Sequence, residues 1–266
     1  MKKRCFVRSS DHLRQLVSAI VTFCALFSPL AHADFDSSLG GFARSFPLSG
    51  YAYAQSGYGQ VFWGDTSGIL YGYVRPYIEL DTAGTYQAAL AAIEVFPVSF
   101  LGIRAGEEWN QNDSHYHDYA CPTNVNCEGT MYRKFVEGQL LLGYSDWFAS
   151  LWLRWDHWSH KNPELGDFMD PNTGLIAYQG GDSEMVARFF TGYNVTPEWA
   201  AIVAGNYYQM VHHFGIVRFG MAGARYRQGD FNAMVGLSHY QATEQKGGYG
   251  VFVGFTWALL PSVALK

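Results

Sequence analysis

The sequence has few charged residues, and no apolar run in it reaches the length of a membrane-spanning helix. Only 15% of the 266 residues are charged, whereas about 25% is usual in soluble domains. A helical membrane domain is excluded, because each helix needs about 20 apolar residues in succession. Aromatic residues are instead abundant at 17%, and there are 29 glycines. If such a chain enters a membrane, it does so as a closed β-barrel, the other structure that pairs every backbone group.

The N-terminal region has the features of a secretory signal peptide. Five basic residues lie within the first 14 positions and precede an apolar run over residues 16–30. Ala31 and Ala33 then supply the small side chains that a signal peptidase reads. We expect cleavage of residues 1–33, which leaves residues 34–266 as a single domain. Asp34 stands where a lipoprotein would have cysteine, so a lipid anchor is disfavoured.

Removal of this leader makes the chain more acidic. The leader contains five of the 18 Lys and Arg residues and one of the 23 Asp and Glu residues, which leaves 13 and 22, a net charge of about −9. Such a charge disfavours nucleic acid as a partner.

Cysteine is scarce in the exported chain, where only Cys121 and Cys127 remain. An exported protein meets oxidising conditions, so the sequence predicts a disulfide that closes this small loop. His115 and His117 lie close by in sequence, which leaves a Cys/His metal site as the alternative. We predict no metal in the protein.

The stretch Trp147–His160 shows most plainly how the chain is organised. Side chains of a strand point alternately to opposite faces. One face of this stretch is apolar and consists of Trp147, Ala149, Leu151, Leu153 and Trp155. The other face is largely polar and consists of Ser150, Trp152, Arg154 and Asp156. Segments of this kind recur through almost the whole chain with aromatic residues at their ends, a pattern typical of a transmembrane β-barrel.

The connections between these segments predict the number of strands. Eleven segments alternate clearly, and two long loops are expected near residues 110–128 and 161–181. Bacterial barrels have an even number of strands, with long loops outside and short turns on the periplasmic side. Parity therefore requires one more strand, over residues 36–47. The predicted fold is an all-β, antiparallel up-and-down barrel of 12 strands, with ten as the alternative.

The polar faces of these strands would line the barrel interior. The charged residues assigned to this inner face are Arg75, Glu79, Arg104, Glu108, Arg133, Glu137, Arg154, Asp156, Arg188 and Arg218. Opposite charges on neighbouring strands favour a salt-bridged lumen that is narrow or plugged. A soluble exported sandwich or barrel is the alternative, and it would turn the apolar faces inward instead.

The segment His157-Trp-Ser159 continues the apolar face towards the second long loop. Over residues 34–266 the chain resembles bacterial outer-membrane barrel proteins. Locally, it resembles the His-x-Ser element of outer-membrane phospholipase A and of the lipid A deacylases, although His160 stands where those families usually have Asn. The resemblance implies His157 as general base, Ser159 as nucleophile, a lipid substrate and a divalent cation.

Two functions remain open at this point. The first is a narrow channel or envelope component of the outer membrane, without catalytic activity or cofactor. It would contact outer-membrane lipid and require the barrel assembly machinery. The second is a hydrolase of outer-leaflet lipids that uses His157 and Ser159. A third catalytic group is not evident, because Glu184 and Asp156 fall on the inner face and Glu107 is two strands away.

Overall fold

The chain folds into one closed barrel with a small additional sheet. The computed structural model describes residues 33–66, 68, 70–83, 86–112, 125–162, 164, 166–171, 173–243 and 246–260. The barrel strands are β1 (Ala33–Ser45), β2 (Leu48–Gly64), β3 (Tyr71–Thr82), β4 (Tyr86–Val98), β5 (Leu101–Asn112), β7 (Gly129–Tyr144), β8 (Trp147–His160), β11 (Asp182–Asn194), β12 (Trp199–Met210), β13 (Ile216–Gln228), β14 (Phe231–Ala242) and β15 (Gly248–Leu260). The additional sheet contains β6 (Val125–Asn126), β9 (Asp167–Met169) and β10 (Ile176–Ala177).

Each barrel strand pairs antiparallel with its neighbours in sequence, and β1 pairs with β15 to close the sheet. The prediction of 12 antiparallel strands is confirmed. The weakly alternating segment over residues 36–47 is also a strand, since β1 pairs with β2 and β15 along most of its length. Within the described ranges, no helix is long and apolar enough to span a bilayer. The predicted signal peptide lies outside the described residues except for Ala33.

The outer wall carries an apolar belt between two levels of aromatic residues. Three strands have an outward aromatic residue near each end, eight positions apart: Trp147 and Trp155 on β8, Trp199 and Tyr207 on β12, and Trp257 and Tyr249 on β15. Eight residues rise about 26 Å along a strand, or about 20 Å along the axis of a barrel with the usual tilt of about 40°. This height, with the rings themselves added, matches the apolar band of membrane barrels, about 25 Å tall.

The apolar faces point outward, as the membrane-barrel prediction requires. Val136, Leu153 and Val253 lie in the middle of the belt and are 57%, 56% and 52% exposed. A soluble barrel would bury these side chains, because exposed aliphatic surface on this scale is unfavourable in water. The soluble alternative is therefore wrong.

The interior has two contrasting walls. Charged side chains are concentrated on the inner face from β3 to β11, where they alternate with apolar groups such as the cluster of Tyr77, Leu90 and Phe135. An apolar cluster covers β12, β15 and the adjoining part of β1. This cluster is centred on Phe252, Ile202 and Ala200, with Phe42 and Met221 packed against it. The first group is called the charged wall below, and the second the apolar wall.

One residue assigned to the inner face is misplaced. Arg218 on β13 is exposed on the outer wall, while its neighbours Val217 and Phe219 are buried inside. The prediction placed the polar face of every strand on the inside of the barrel. The rule fails on β13 because apolar side chains fill the interior there. The face of β13 that contains Val217 and Phe219 packs against them, and the face that contains Arg218 points outward.

The two long loops meet in the outer opening of the barrel. β6 from the first loop pairs in parallel with β9 from the second, and β9 pairs antiparallel with β10. Phe168, Leu175 and Ala177 of this loop sheet are buried against Trp158 of β8 and Tyr240 of β14. Because β8 and β14 lie on different sides of the barrel, the loop sheet fills the mouth rather than covering one edge.

Candidate functional site

The charged wall is held together by ion pairs that span several strands. Arg75 of β3 reaches across β2 to β1, where its Nε donates to Asp36 Oδ2 at 2.7 Å. Its Nη1 donates to Glu94 Oε1 of β4 at 2.9 Å. One guanidinium thus joins two carboxylates from different strands, and all three residues are at least nine-tenths buried. Gln55 extends the group, since its Nε2 donates to Glu79 Oε2 at 2.9 Å.

Glu137 is the centre of a second group. It is fully buried, and its Oε1 lies 2.8 Å from Nη2 of Arg104 on β5. Its Oε2 pairs with Arg188 of β11, and Gln139 Nε2 donates to Oε1 at 2.9 Å. Arg104 also donates to the Tyr77 hydroxyl at 2.9 Å. A buried carboxylate is stable only with such compensation, and here two guanidinium groups supply it.

The outer part of the charged wall contains two further pairs. Arg133 of β7 binds Glu108 of β5, and its guanidinium lies 5.3 Å from the centre of the Trp158 ring. Arg154 Nε donates to Asp156 Oδ2 at 2.9 Å along β8. Nine of the ten charged residues assigned to the inner face therefore lie on it, in two networks and two pairs, and the exception is Arg218.

Two partners in these groups were missed from sequence. Asp36 lies in the weakly alternating first strand, and Glu94 is flanked by Ile93 and Val95 in a strand that otherwise reads as apolar. The signal for Glu94 was present, because Arg75 requires an acidic partner and the two residues are directly paired across β3 and β4.

Burial varies among the inward-facing side chains. Glu137, Asp156 and Phe252 are all 0% exposed. The side chains of Arg104 and Arg188 are more accessible, at 20% and 28% exposure. Space accessible to solvent therefore persists beside these two guanidinium groups, in the middle of the barrel.

At the end of the barrel with the long loops, Trp155, Tyr207 and Tyr249 form one aromatic level, called the outer aromatic level below. The residues of the His-x-Ser element lie on the outer wall just beyond it. His157 is exposed and stands opposite Lys134 of β7 and Ser183 of β11. Ser159 is partly buried and stands opposite Tyr132. Among the described residues, neither side chain makes a hydrogen bond or ion pair, with the other or with any third group.

The acidic residues nearest in sequence or space are engaged elsewhere. Asp156 pairs with Arg154 inside the barrel, and the Glu184 carboxylate accepts a hydrogen bond from Trp158 Nε1 at 3.3 Å. Glu107 is on the outer wall, where it pairs with Lys134 at 3.2 Å. None of these carboxylates is placed to orient the His157 ring.

The predicted disulfide and the alternative metal site cannot be placed, because Cys121, His115 and His117 lie outside the described residues. Cys127 is buried, and its carbonyl oxygen accepts a hydrogen bond from Asn112 Nδ2 at 2.6 Å. In the part of the chain that the structure describes, no three His, Cys, Asp or Glu side chains are grouped to hold a metal ion.

The fold is similar to several solved membrane barrels at low sequence identity. The KdgM porin aligns with a TM-score of 0.46 and 9% identity, over 85% of this chain and 99% of that one. The NanC porin gives 0.44 and 10%, over 83% and 98%. An outer-membrane channel from Pseudomonas putida F1 gives 0.47 and 8%, over 87% and 97%. No protein-family model and no curated protein matches the chain. Because all three scores are low, the fold assignment rests on the strand pairing of the chain itself.

Proposed function

We propose that this protein is an integral β-barrel of the bacterial outer membrane that forms a narrow, gated channel without catalytic activity. The observation that carries the membrane placement is the apolar outer belt bounded by two aromatic levels. Trp and Tyr prefer the bilayer interfaces, and a closed sheet leaves no unpaired backbone edge in lipid.

The loops give the orientation. Both long connections, after β5 and after β8, lie at the same end of the barrel, and the tight turn at Ser145 and Asp146 lies at the other. Outer-membrane barrels place long loops outside. The loop sheet then faces the exterior, and the start of β1 and the end of β15 face the periplasm.

The interior supports a passage for small polar solutes or ions. Solvent-accessible space remains beside Arg104 and Arg188, and both guanidinium groups are held by Glu137. Charges of both signs line this space, so the wall does not favour one class of solute by charge alone.

The loop sheet supplies the gate in this proposal. It is buried in the mouth and is held to the rim by side-chain contacts, one of which joins Asn126 Nδ2 of β6 and His160 Nε2 of β8 at 3.2 Å. Asp167 Oδ2 of β9 lies 3.0 Å from His213 Nε2 in the turn after β12. The Tyr240 hydroxyl donates to the Thr173 carbonyl at 3.4 Å. Movement of this sheet towards the exterior would uncover the passage.

Planar-bilayer recordings test the proposal. We expect rare, small conductance steps from the wild type. Replacement of residues 166–178 by a Gly/Ser linker should raise the time spent open several-fold, because the mouth is then no longer filled. Lys134→Ala on the outer wall serves as the matched control and should behave as the wild type. Absence of conductance from the linker variant, once its membrane insertion is verified, would exclude the channel and leave a non-conducting envelope component.

Lipid hydrolysis is the second candidate, favoured by the position of His157 and Ser159 on the outer wall at the level of lipid headgroups. Against it stands the lack of any contact that would activate the serine, since an unaligned hydroxyl is a poor nucleophile. Incubation with fluorogenic phospholipid or lipid A, with a divalent cation present, tests this function. Hydrolysis that disappears in both Ser159→Ala and His157→Ala would support it. A rate equal to that of the wild type in both variants would exclude it.

A further inference from the structure

Arg218 of β13 is a cation on the lipid-facing wall that the channel does not use. It stands directly opposite Tyr207 of β12, a member of the outer aromatic level, and Gln241 of β14. The guanidinium carbon lies 5.9 Å from the centre of the Tyr207 ring. Across the described ranges it makes no ion pair or hydrogen bond, in contrast to Lys134, which is paired with Glu107 on the same wall.

Two other hydrogen-bond donors share this part of the wall. Gln241 is the cross-strand partner of Arg218, and His239 is two positions away on the same face of β14. Both side chains are exposed. The ring of His239 packs against Tyr249 of β15, with centroids 4.7 Å apart, which holds the imidazole against the wall.

A recess lies beside His239 and below Arg218 and Gln241, towards the middle of the bilayer. Gly220 faces outward between Gly205 and His239, and nothing lies within 4 Å of the position that a Cβ would take there. Next to it, the ring of Phe189 covers Gly205 and forms an apolar side of the recess. The wall thus offers an apolar depression adjoining a cluster of donors with one full positive charge.

We propose that Arg218, Gln241 and His239 bind a phosphate of a phosphorylated lipid headgroup in the outer leaflet, with one acyl chain in the recess over Gly220. A guanidinium matches phosphate oxygens in a bidentate manner, and its pairing at the edge of lipid is weakly screened by water. The amide and imidazole N–H groups supply further donors. The inference rests on the membrane placement proposed above and is independent of channel activity.

Native mass spectrometry of the folded barrel in detergent tests this site, with bisphosphorylated lipid A and its dephosphorylated form as probes. We expect one phosphorylated lipid to stay bound to the wild type. Arg218→Gln should weaken its binding about tenfold, because the variant loses the positive charge and the bidentate hydrogen bonds to the phosphate. Gly220→Leu keeps every charge but fills the recess, and it should also weaken binding. Lys134→Gln, four strands away, is the control and should bind like the wild type.

Equal binding of both lipids, or wild-type binding by Arg218→Gln and Gly220→Leu, would overturn the proposal. Each variant is first checked for folding by its heat-dependent migration in a gel, and for insertion into phosphatidylcholine vesicles. Failure of the wild type to insert would overturn the membrane placement itself. Normal insertion with unaltered lipid binding in both variants would overturn the lipid site alone.

Discussion

Both walls of the barrel interior contain a fully buried residue, Glu137 on one and Phe252 on the other, but the two are stabilised by different means. On the charged wall, Glu137 is buried because Arg104 and Arg188 compensate its charge. On the apolar wall, Phe252 is buried among side chains such as Phe42 and Ile202, which need no particular partner. The first arrangement depends on every member being present, since an unpaired buried charge is costly. The second tolerates gradual change, because dispersion contacts are many and individually weak. We therefore expect the two walls to respond differently to comparable substitutions.

The largest effect is expected at the centre of the charged wall. Glu137→Ala leaves two guanidinium groups facing each other without their shared carboxylate, so the free energy of unfolding should fall by about 3–5 kcal/mol. Urea unfolding of the barrel in lipid vesicles measures this. A loss below about 1 kcal/mol would mean that water or other side chains replace the carboxylate, and that the wall is less dependent on pairing than its geometry indicates.

A smaller loss is expected on the apolar wall. Phe252→Leu removes part of a fully buried ring but keeps an apolar side chain, and neighbours such as Phe42 and Met221 can close around it. Loss of buried carbon of this size costs about 1–2 kcal/mol. The same unfolding experiment checks it. A loss equal to that of Glu137→Ala would remove the proposed contrast between the walls.

The smallest effect is expected for an ion pair on the outside. Lys134 pairs with Glu107 at 3.2 Å, but both side chains are more than half exposed. Exposed pairs contribute about 0–1 kcal/mol, so Lys134→Ala should change the free energy of unfolding by less than that. If it instead matched Glu137→Ala, burial would not be the factor that makes the inner pairs sensitive.

The barrel fold could be predicted from the sequence, because alternation and loop length are read within each segment and the strand number follows by counting the segments. The alternation is clear from Ala149 to Asp156, and the poorly marked β1 was recovered by counting strands rather than by its own pattern. Most of the charged residues of the lumen could be predicted for the same reason. Alternation along β5 and along β7 assigns Arg104 and Glu137 each to the polar face of its own strand, and this assignment needs no knowledge of the fold.

Other features could not be predicted because they depend on long-range packing. The loop sheet combines Val125 and Asp167, which are far apart in sequence and have no alternating pattern. The inward direction of Phe219, and hence the outward direction of Arg218, is set by what fills that side of the barrel. The His157 and Ser159 pair shows the complementary limit: sequence spacing put both on one face but could not supply the hydrogen bonds that catalysis would need.

The closure of the sheet between β1 and β15 has a consequence for biogenesis. Ser37 pairs with Leu260 and Arg44 with Phe252, so the first and last strands are joined along eight residue pairs. Until the end of the chain is available, both strands have unpaired edges, which are sites of aggregation. A nascent or C-terminally truncated polypeptide therefore has two unpaired strand edges, even when all of its other strands are correctly paired. We expect cells to need a chaperone that shields both edges until the last strand arrives.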